Sequence, residues 1–208
     1  GLIVMVASIV VAVGFRGAAL ARPPRPNLSA LKQGYRTIFA NPNARICYSA
    51  VFIEGCCVLG LFPFIAAFLF DLGETRLSIA GIVIAGFAVG GLFYTMTVSR
   101  FLPRIGVNGM MITGGALVGL QLVAMAMGPE WRLQTLSLIF MGWGFYMIHG
   151  SLQVFASELS AEARATALSL HAFFFFMGQT VGPIAYGFGI QHAGKVPTLL
   201  TSAAIMIA

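Results

Sequence analysis

Charged side chains are scarce in this sequence. Asp, Glu, Lys and Arg make up 9% of its 208 residues, whereas soluble domains carry roughly 25%. Hydrophobic residues reach 59% of the chain. So few charges cannot cover the surface of a domain in water. The composition therefore excludes an ordinary soluble protein and predicts an integral membrane protein.

Metal-binding cysteine patterns and alternating strands are also missing. The three cysteines, Cys47, Cys56 and Cys57, lack the C-x-x-C spacing of a metal site, and we predict no metal and no cofactor. No segment alternates apolar and polar residues as a barrel strand does, so we expect the membrane spans to be α-helices. The net charge is +6, but the basic residues are spread over short connections, so we expect no nucleic-acid partner.

Long apolar runs make up most of the chain instead. Five of them reach the ~20 residues that a spanning helix needs. They cover residues 46–70, 77–98, 107–127, 133–156 and 165–190. Together with shorter apolar runs at both termini, they predict an all-α transmembrane bundle over residues 44–208 and the end of another spanning helix over residues 1–20. We expect a fragment whose first and last helices are truncated.

Residues 21–43 differ from the apolar runs in composition. They begin with Arg22-Pro23-Pro24-Arg25-Pro26, a stiff polar stretch that cannot continue a helix. Apolar residues then recur at helical spacing from Leu28 to Phe39, which predicts a short amphipathic helix on the membrane surface. If this linker is cytoplasmic, nine of the 12 Lys and Arg residues lie on the inner side, as the positive-inside rule requires. We therefore predict a cytoplasmic basic linker.

Three stretches resemble motifs of one transporter family. Ser157-Glu158-Leu159, with residues 164–171, is similar to a loop and helix start of sugar-efflux and drug:proton antiporter branches. Residues from Gly91 to Gly106 resemble a loop motif that recurs in second halves of the family, without its acidic residue. The glycine-proline run Gly178–Gly187 is similar to the family's antiporter motif, at the repeat counterpart of the usual helix. The chain thus resembles the C-terminal half of a major facilitator superfamily transporter.

This resemblance implies a fold, a location and residue roles. The fold would be the six-helix C-terminal half, from the end of the sixth helix to the start of the twelfth, in a multi-pass protein of the cell membrane, here a bacterial inner membrane. The family's N-terminal half would be its partner. The loop motif implies gating roles for Gly91, Arg100, Arg104 and Gly106. The glycine-proline run implies helix kinking and packing by Gly178, Gly182, Pro183 and Gly187.

A few polar residues lie inside the predicted spans, where they are costly. An ionised Glu54 would cost at least ~2.5–3.5 kcal/mol in lipid. Glu54, His149 and His171 all lie roughly 9–12 Å inside the cytoplasmic edge, at 1.5 Å per residue. Burial disfavours a charged carboxylate and a cationic imidazole favours it, so we predict that these three residues couple transport to protons. The alternative is a static hydrogen bond from Glu54 to a neighbouring helix.

Other polar residues predict a substrate cavity. Gly142, Tyr146, His149 and Gln153 share one face of a predicted helix, and Gln179 lies on the next helix. We predict that Tyr146, Gln153 and Gln179 line the cavity. Hydrogen bonds between helices, without contact to a substrate, are an equal alternative.

Together these features predict a secondary transporter rather than an enzyme. It would export a small organic solute, such as a sugar or a drug-like compound, in exchange for protons by alternating access. Its partners would be the solute, protons, the lipid bilayer and the N-terminal half. Two alternatives stay open. One is a membrane-embedded enzyme with Glu54, His149 and His171 as metal ligands, although their places on three separate helices count against it. The other is a non-transporting membrane sensor.

Overall fold

The computed structural model describes residues 2–16 and 28–208, and every regular element in that part of the chain is a helix. The α-helices in chain order are α1 (Leu2–Gly14), α2 (Leu28–Ala40), α3 (Pro42–Cys57), α4 (Ile65–Asp71), α5 (Leu77–Ala126), α6 (Trp131–Glu158), α7 (Arg164–Ala193) and α8 (Lys195–Ile207). A 3₁₀ segment, Leu59–Phe64, lies between α3 and α4. Residues 17–27, which include the Pro-rich start of the predicted linker, lie outside the described residues.

The chain forms two compact units, Gly1–Ala30 and Leu31–Ala208. Helix α1 belongs to the first unit, and its side chains from Val4 onward are exposed. Helices α3 to α8 all belong to the second unit.

Four helical stretches are long and apolar enough to cross a membrane. They are Pro42–Asp71, Leu77–Ala126, Trp131–Glu158 and Arg164–Ala193. These stretches cover all five predicted runs to within one residue, because two of the runs lie on α5. The prediction of an all-α protein with several candidate membrane spans is therefore confirmed for the described residues.

Helix α5 is 50 residues long and folds back on itself at Gly106. Gly106 has φ 68° and ψ 178°, a conformation that residues with a Cβ rarely adopt. A straight helix would hold Gly90 and Gly114 roughly 36 Å apart, at 1.5 Å per residue. Yet a Cβ on Gly90 would lie 2.9 Å from the carbonyl carbon of Gly142, and one on Gly114 would lie 2.6 Å from the carbonyl oxygen of Gly144. The two halves of α5 are therefore antiparallel neighbours that share α6.

The first spanning stretch is interrupted, unlike the continuous helix predicted over residues 46–70. Helix α3 ends at Cys57, and the 3₁₀ segment with Pro63 inside it precedes α4. Proline has no N–H to bond the carbonyl of Leu59, which weakens α-helical continuity there. A Cβ on Gly60 would lie 2.6 Å from the Cα of Gly182, so the interrupted segment lies directly against α7.

The boundary between α2 and α3 is set by local chemistry. Asn41 caps α3 by accepting a hydrogen bond from the Asn43 backbone N–H at 3.0 Å, and Pro42 suits the first helical position. The Asn41 side chain also donates to the Leu159 carbonyl at 3.2 Å. Helix α2 lies where the sequence predicts a short helix in the linker, and its Ile38 is fully buried against residues of α3, α6 and α7.

Helices α3 and α7 run parallel and touch backbone to backbone. A Cβ on Gly178 would fall on the carbonyl oxygen of Phe52, and one on Gly182 would lie 2.6 Å from that of Cys56. Phe52 lies against Gly178 and, one turn later, Cys56 lies against Gly182, so the two helices run in the same direction. Gly178 and Gly182 thus lie where close packing requires the absence of a side chain.

The rest of the glycine-proline run behaves differently. A Cβ on Gly187 would have the Phe64 ring as its nearest neighbour, at 3.7 Å, which is an ordinary contact. The close packing predicted for Gly187 is therefore absent, because no neighbouring backbone reaches that position. Helix α7 continues as one helix through Pro183.

Candidate functional site

Glu54 lies inside the bundle and is 1% exposed. It stands near the end of α3, one turn after the fully buried Val51. Beside it, a Cβ on Gly55 would lie 2.5 Å from the carbonyl oxygen of Phe175, so α7 closes against this turn of α3. The carboxylate is therefore held between closely packed helices and away from lipid.

A side chain of α6 pairs with this carboxylate. Oε2 of Glu54 and Nδ1 of His149 are 3.0 Å apart. When the carboxylate is ionised, Nδ1–H donates to Oε2, and when the carboxyl group is neutral, its O–H donates to an unprotonated Nδ1. The same contact thus accommodates a single proton on either partner. Removing one partner would leave a buried polar group unpaired, which costs about 1–3 kcal/mol.

His171 extends the cluster onto α7. It is 2% exposed, and its ring centroid is 5.0 Å from that of His149. Phe145, one turn before His149 on α6, stacks on the His149 ring at 5.2 Å. Phe175, one turn after His171 on α7, lies 4.6 Å from the same ring. The structure thus brings the three predicted proton-coupling residues into one cluster, and aromatic rings hold His149 in place.

Two buried atoms of this cluster have no hydrogen-bond partner in the described part of the chain. They are Oε1 of Glu54 and Nε2 of His171. Native proteins leave few buried polar atoms unpaired, and those that remain call for a specific explanation. One carboxylate oxygen of Glu54 is thus bonded to His149, and the other is free to accept or carry a proton.

Of the three residues predicted to line a substrate cavity, Gln179 is the one that lines the cavity beside α7. Gln179 lines a cavity of about 650 Å³ between the 3₁₀ segment and α7, but Tyr146 and Gln153 are not in its lining. Tyr146 packs against aromatic rings, among them Phe87 at 6.0 Å, and Gln153 is exposed. The α6 face predicted to line a cavity is in part a packing face, because Gly142 meets the α5 backbone at Phe87. A substrate cavity shared by Tyr146, Gln153 and Gln179 therefore stays a prediction.

The cavity at Gln179 has its own chemistry. Its lining includes two prolines, Pro63 of the 3₁₀ segment and Pro183 of α7. Pro183 has no N–H for the carbonyl of Gln179, four residues earlier, so that oxygen lacks its usual helical donor beside the cavity. Thr180 also lines the cavity, and its hydroxyl donates to the Phe176 carbonyl at 2.8 Å. Mostly apolar walls with a few polar groups are typical of small-molecule sites.

The residues of the predicted loop motif lie on the first half of α5 and at its reversal. Gly106 forms the reversal itself. A Cβ on Gly91 would lie 2.6 Å from Cε2 of Tyr146, so Gly91 makes room for that ring. Arg100 and Arg104 are exposed, and no carboxylate of the described residues lies within ion-pair distance of them. Two of the four positions therefore have a structural use, and the two arginines lie free beside the reversal.

Two tyrosines near the cluster were missed at the sequence level. The Tyr48 hydroxyl donates to the Ala167 carbonyl at 3.2 Å, and the Tyr186 hydroxyl donates to the Cys57 carbonyl at 2.7 Å. These bonds tie α3 to α7 on either side of Glu54 along the chain. A buried tyrosine hydroxyl usually finds a partner, and this rule could have singled out both residues in apolar runs.

Neither a metal-binding arrangement nor a known relative identifies this site. Within residues 2–16 and 28–208, no group of three or more His, Cys, Asp and Glu side chains is arranged to hold a metal ion. No model of a known protein family matches the chain, and no curated protein matches it significantly.

Proposed function

We propose that this chain is the C-terminal half of a major facilitator superfamily transporter that exchanges protons for a small organic solute by alternating access. The solute is a sugar or a drug-like compound that leaves the cell, and an N-terminal half completes the transporter. The protein lies in the cell membrane, here a bacterial inner membrane, with residues 21–43 in the cytoplasm. The observation that carries the proposal is the buried contact between Glu54 and His149, at 3.0 Å.

The geometry of this pair supports proton exchange over a static role. Oε1 of Glu54 is buried and has no partner among the described residues, so it is available to accept or carry a proton. The side chain of His149 is 21% exposed and that of Glu54 is 1% exposed. A proton can therefore reach the imidazole from outside the cluster and pass across the 3.0 Å contact to the carboxylate.

The position of the Gln179 cavity supports coupling to a solute. Leu59, five residues after Glu54, lines this cavity together with Gln179. A bound solute would thus contact α7, which holds His171, and the segment that directly follows α3, which holds Glu54. A solute that binds one arrangement of these helices more tightly would shift the protonation of the pair, as exchange requires.

Replacing the carboxylate tests the proposal. The full-length protein is reconstituted with a pH-sensitive dye inside the liposomes, and sugars and drug-like compounds are added in turn. The wild type should move protons when a transported solute is present. Glu54→Gln keeps the shape and one hydrogen bond but removes titration, so it should abolish this proton movement while the protein stays folded. Glu130→Gln removes an exposed carboxylate and should leave the movement unchanged.

Two results would contradict the proposal. If Glu54→Gln still drives uphill transport at the wild-type rate, the carboxylate is only structural. If compounds bind the wild type but none is carried across the liposome membrane, the protein acts as a sensor.

A further inference from the structure

An apolar groove of about 520 Å³ runs beside the reversal of α5. Phe101 and Ile105 line it from the first half of α5, and Trp143 and Met147 line it from α6. The second half of α5 supplies the remaining lining residues: Thr113, Ala116, Leu117 and Leu120. Neither the Glu54 cluster nor Gln179 contributes to this groove, so it is separate from the site described above.

The groove extends about as far along the membrane normal as a lipid acyl chain does. Ile105 is adjacent to Gly106, where α5 turns back, so this end of the groove lies at the membrane boundary. Leu120 follows Gly106 by fourteen residues and lies roughly 21 Å deeper, at 1.5 Å per residue. The hydrocarbon core is about 30 Å thick, so the groove extends through one leaflet and slightly past the midplane.

The boundary end of the groove carries unpaired positive charge. Arg100 and Arg104 are one turn apart, each immediately before a groove residue, Phe101 or Ile105. Both arginines are exposed, and no carboxylate of the described residues lies within ion-pair distance of either. The helix that begins after Gly106 adds the positive end of its dipole at the same boundary. Guanidinium groups bind phosphate oxygens through paired, charge-assisted hydrogen bonds.

We propose that this groove binds one acyl chain of an anionic phospholipid, whose phosphate is held by Arg100 and Arg104. The lipid belongs to the membrane leaflet on the same side as the Gly106 reversal. Apolar walls accept the chain, and the two guanidinium groups select an anionic headgroup over a zwitterionic one. This site does not depend on the proposed transport function.

Trp143 allows the site to be tested directly, because it lines the groove. The full-length protein with Trp131→Phe, and with any tryptophans outside this chain also replaced by Phe, is placed in phosphatidylcholine nanodiscs. These discs contain equal fractions of either dibrominated phosphatidylglycerol or dibrominated phosphatidylcholine, whose bromines quench a nearby indole. Brominated phosphatidylglycerol should quench Trp143 at roughly a tenfold lower mole fraction, the preference that two arginines near a membrane surface can supply.

Matched variants distinguish lipid binding in the groove from general electrostatic attraction between the protein and anionic lipids. Arg100→Gln with Arg104→Gln should abolish the preference, whereas Arg36→Gln with Arg45→Gln, at exposed positions in and after α2, should keep it. Ala116→Phe fills the groove and should reduce quenching by both lipids. Equal quenching by the two lipids in the wild type would overturn the proposal. An equal loss of preference in both double variants would also overturn it, because general surface charge would then explain the effect.

Discussion

Glu54 and His149 depend on each other in a way that neither residue type predicts alone. The carboxylate is buried among packed helices, and the imidazole is its one hydrogen-bond partner among the described residues. An ionised Glu54 is stabilised by a protonated His149, and a neutral Glu54 can donate to a neutral one. The protonation of each side chain therefore controls that of the other.

His149→Ala should change the pH dependence of transport. Without the imidazole, the ionised carboxylate loses its stabilising partner, so the half-maximal point of transport should move to higher pH by about one unit. One unit corresponds to a loss of ~1.4 kcal/mol in the stabilisation of the ionised form. The profile is measured as solute flux by the full-length protein in proteoliposomes. His192→Ala is the control, because His192 is exposed near the end of α7 and should have no effect. An unchanged profile for His149→Ala would mean that the pair does not share the transported proton.

A second pH-dependent pair lies in the connector between α4 and α5. The Arg76 guanidinium donates to Glu74 at 2.6 and 2.8 Å and lowers the pKa of Glu74 from 4.5 to about 2. Because the folded-state pKa lies below the unfolded one, stabilisation by the pair is complete above pH 4.5 and is lost as the pH falls through about 2. Carbon NMR of the Glu74 carboxyl group should show a midpoint near 2, and Arg76→Gln should return it to the usual range. A wild-type midpoint near 4.5 would mean that the pair does not form in solution.

At the scale of helices, the apolar runs predict most of the architecture but not its interruptions. The run over residues 165–190 corresponds to α7, which ends three residues later, at Ala193. The 3₁₀ segment at Leu59–Phe64 was not predicted, because hydropathy does not distinguish a broken helix from a continuous one. The first half of α5 continues past its predicted end at residue 98 to the reversal at Gly106, because arginine favours helix although hydropathy ends the apolar run there.

Two glycines of α7 should respond differently to the same substitution. Gly178→Ala places a methyl group on the Phe52 carbonyl oxygen and forces α3 and α7 apart, so it should destabilise the protein by about 1–3 kcal/mol. Gly187→Ala meets only an ordinary contact and should be neutral or stabilise by up to ~1 kcal/mol, since alanine favours helix. Thermal unfolding in detergent, followed by circular dichroism, measures both. Equal melting temperatures for the two variants would refute the direct backbone contact.

At the scale of the whole molecule, the charge pattern and the helix lengths predict a definite topology. The reversal at Gly106 and the end of α5 near Met127 are separated by roughly 31 Å of helix, close to the ~30 Å of the hydrocarbon core. These two ends therefore belong on opposite sides of the membrane. The arginines near Gly106 predict that this end faces the cytoplasm.

Cysteine labelling tests this topology. In full-length protein whose native cysteines are replaced, Pro103→Cys should react with a charged maleimide only from the cytoplasm, and Glu130→Cys only from outside. Arg25→Cys, in the linker outside the described residues, should react from the same side as Pro103→Cys. Labelling of Arg25→Cys and Glu130→Cys from one side would contradict the assignment.

The candidate site was predictable in its members but not in its geometry. The cost of burying polar groups singled out Glu54, His149 and His171, and a shared depth placed them at one level. Depth alone cannot assign the angular position of a side chain around its helix. The structure places Tyr146 among aromatic rings and Gln179 beside a cavity, because helix rotation depends on glycine contacts such as that of Gly142 with Phe87.

The direct contact between α3 and α7 has a mechanical consequence. Side chains can absorb sliding between helices by changing rotamer, but the atoms in contact at Gly55, Gly178 and Gly182 belong to the backbone. Such a contact has low compressibility and transmits displacement instead of absorbing it. We therefore expect a tilt of α3 at Glu54 to be carried to Pro183 on α7, so that the two helices move as one rigid unit.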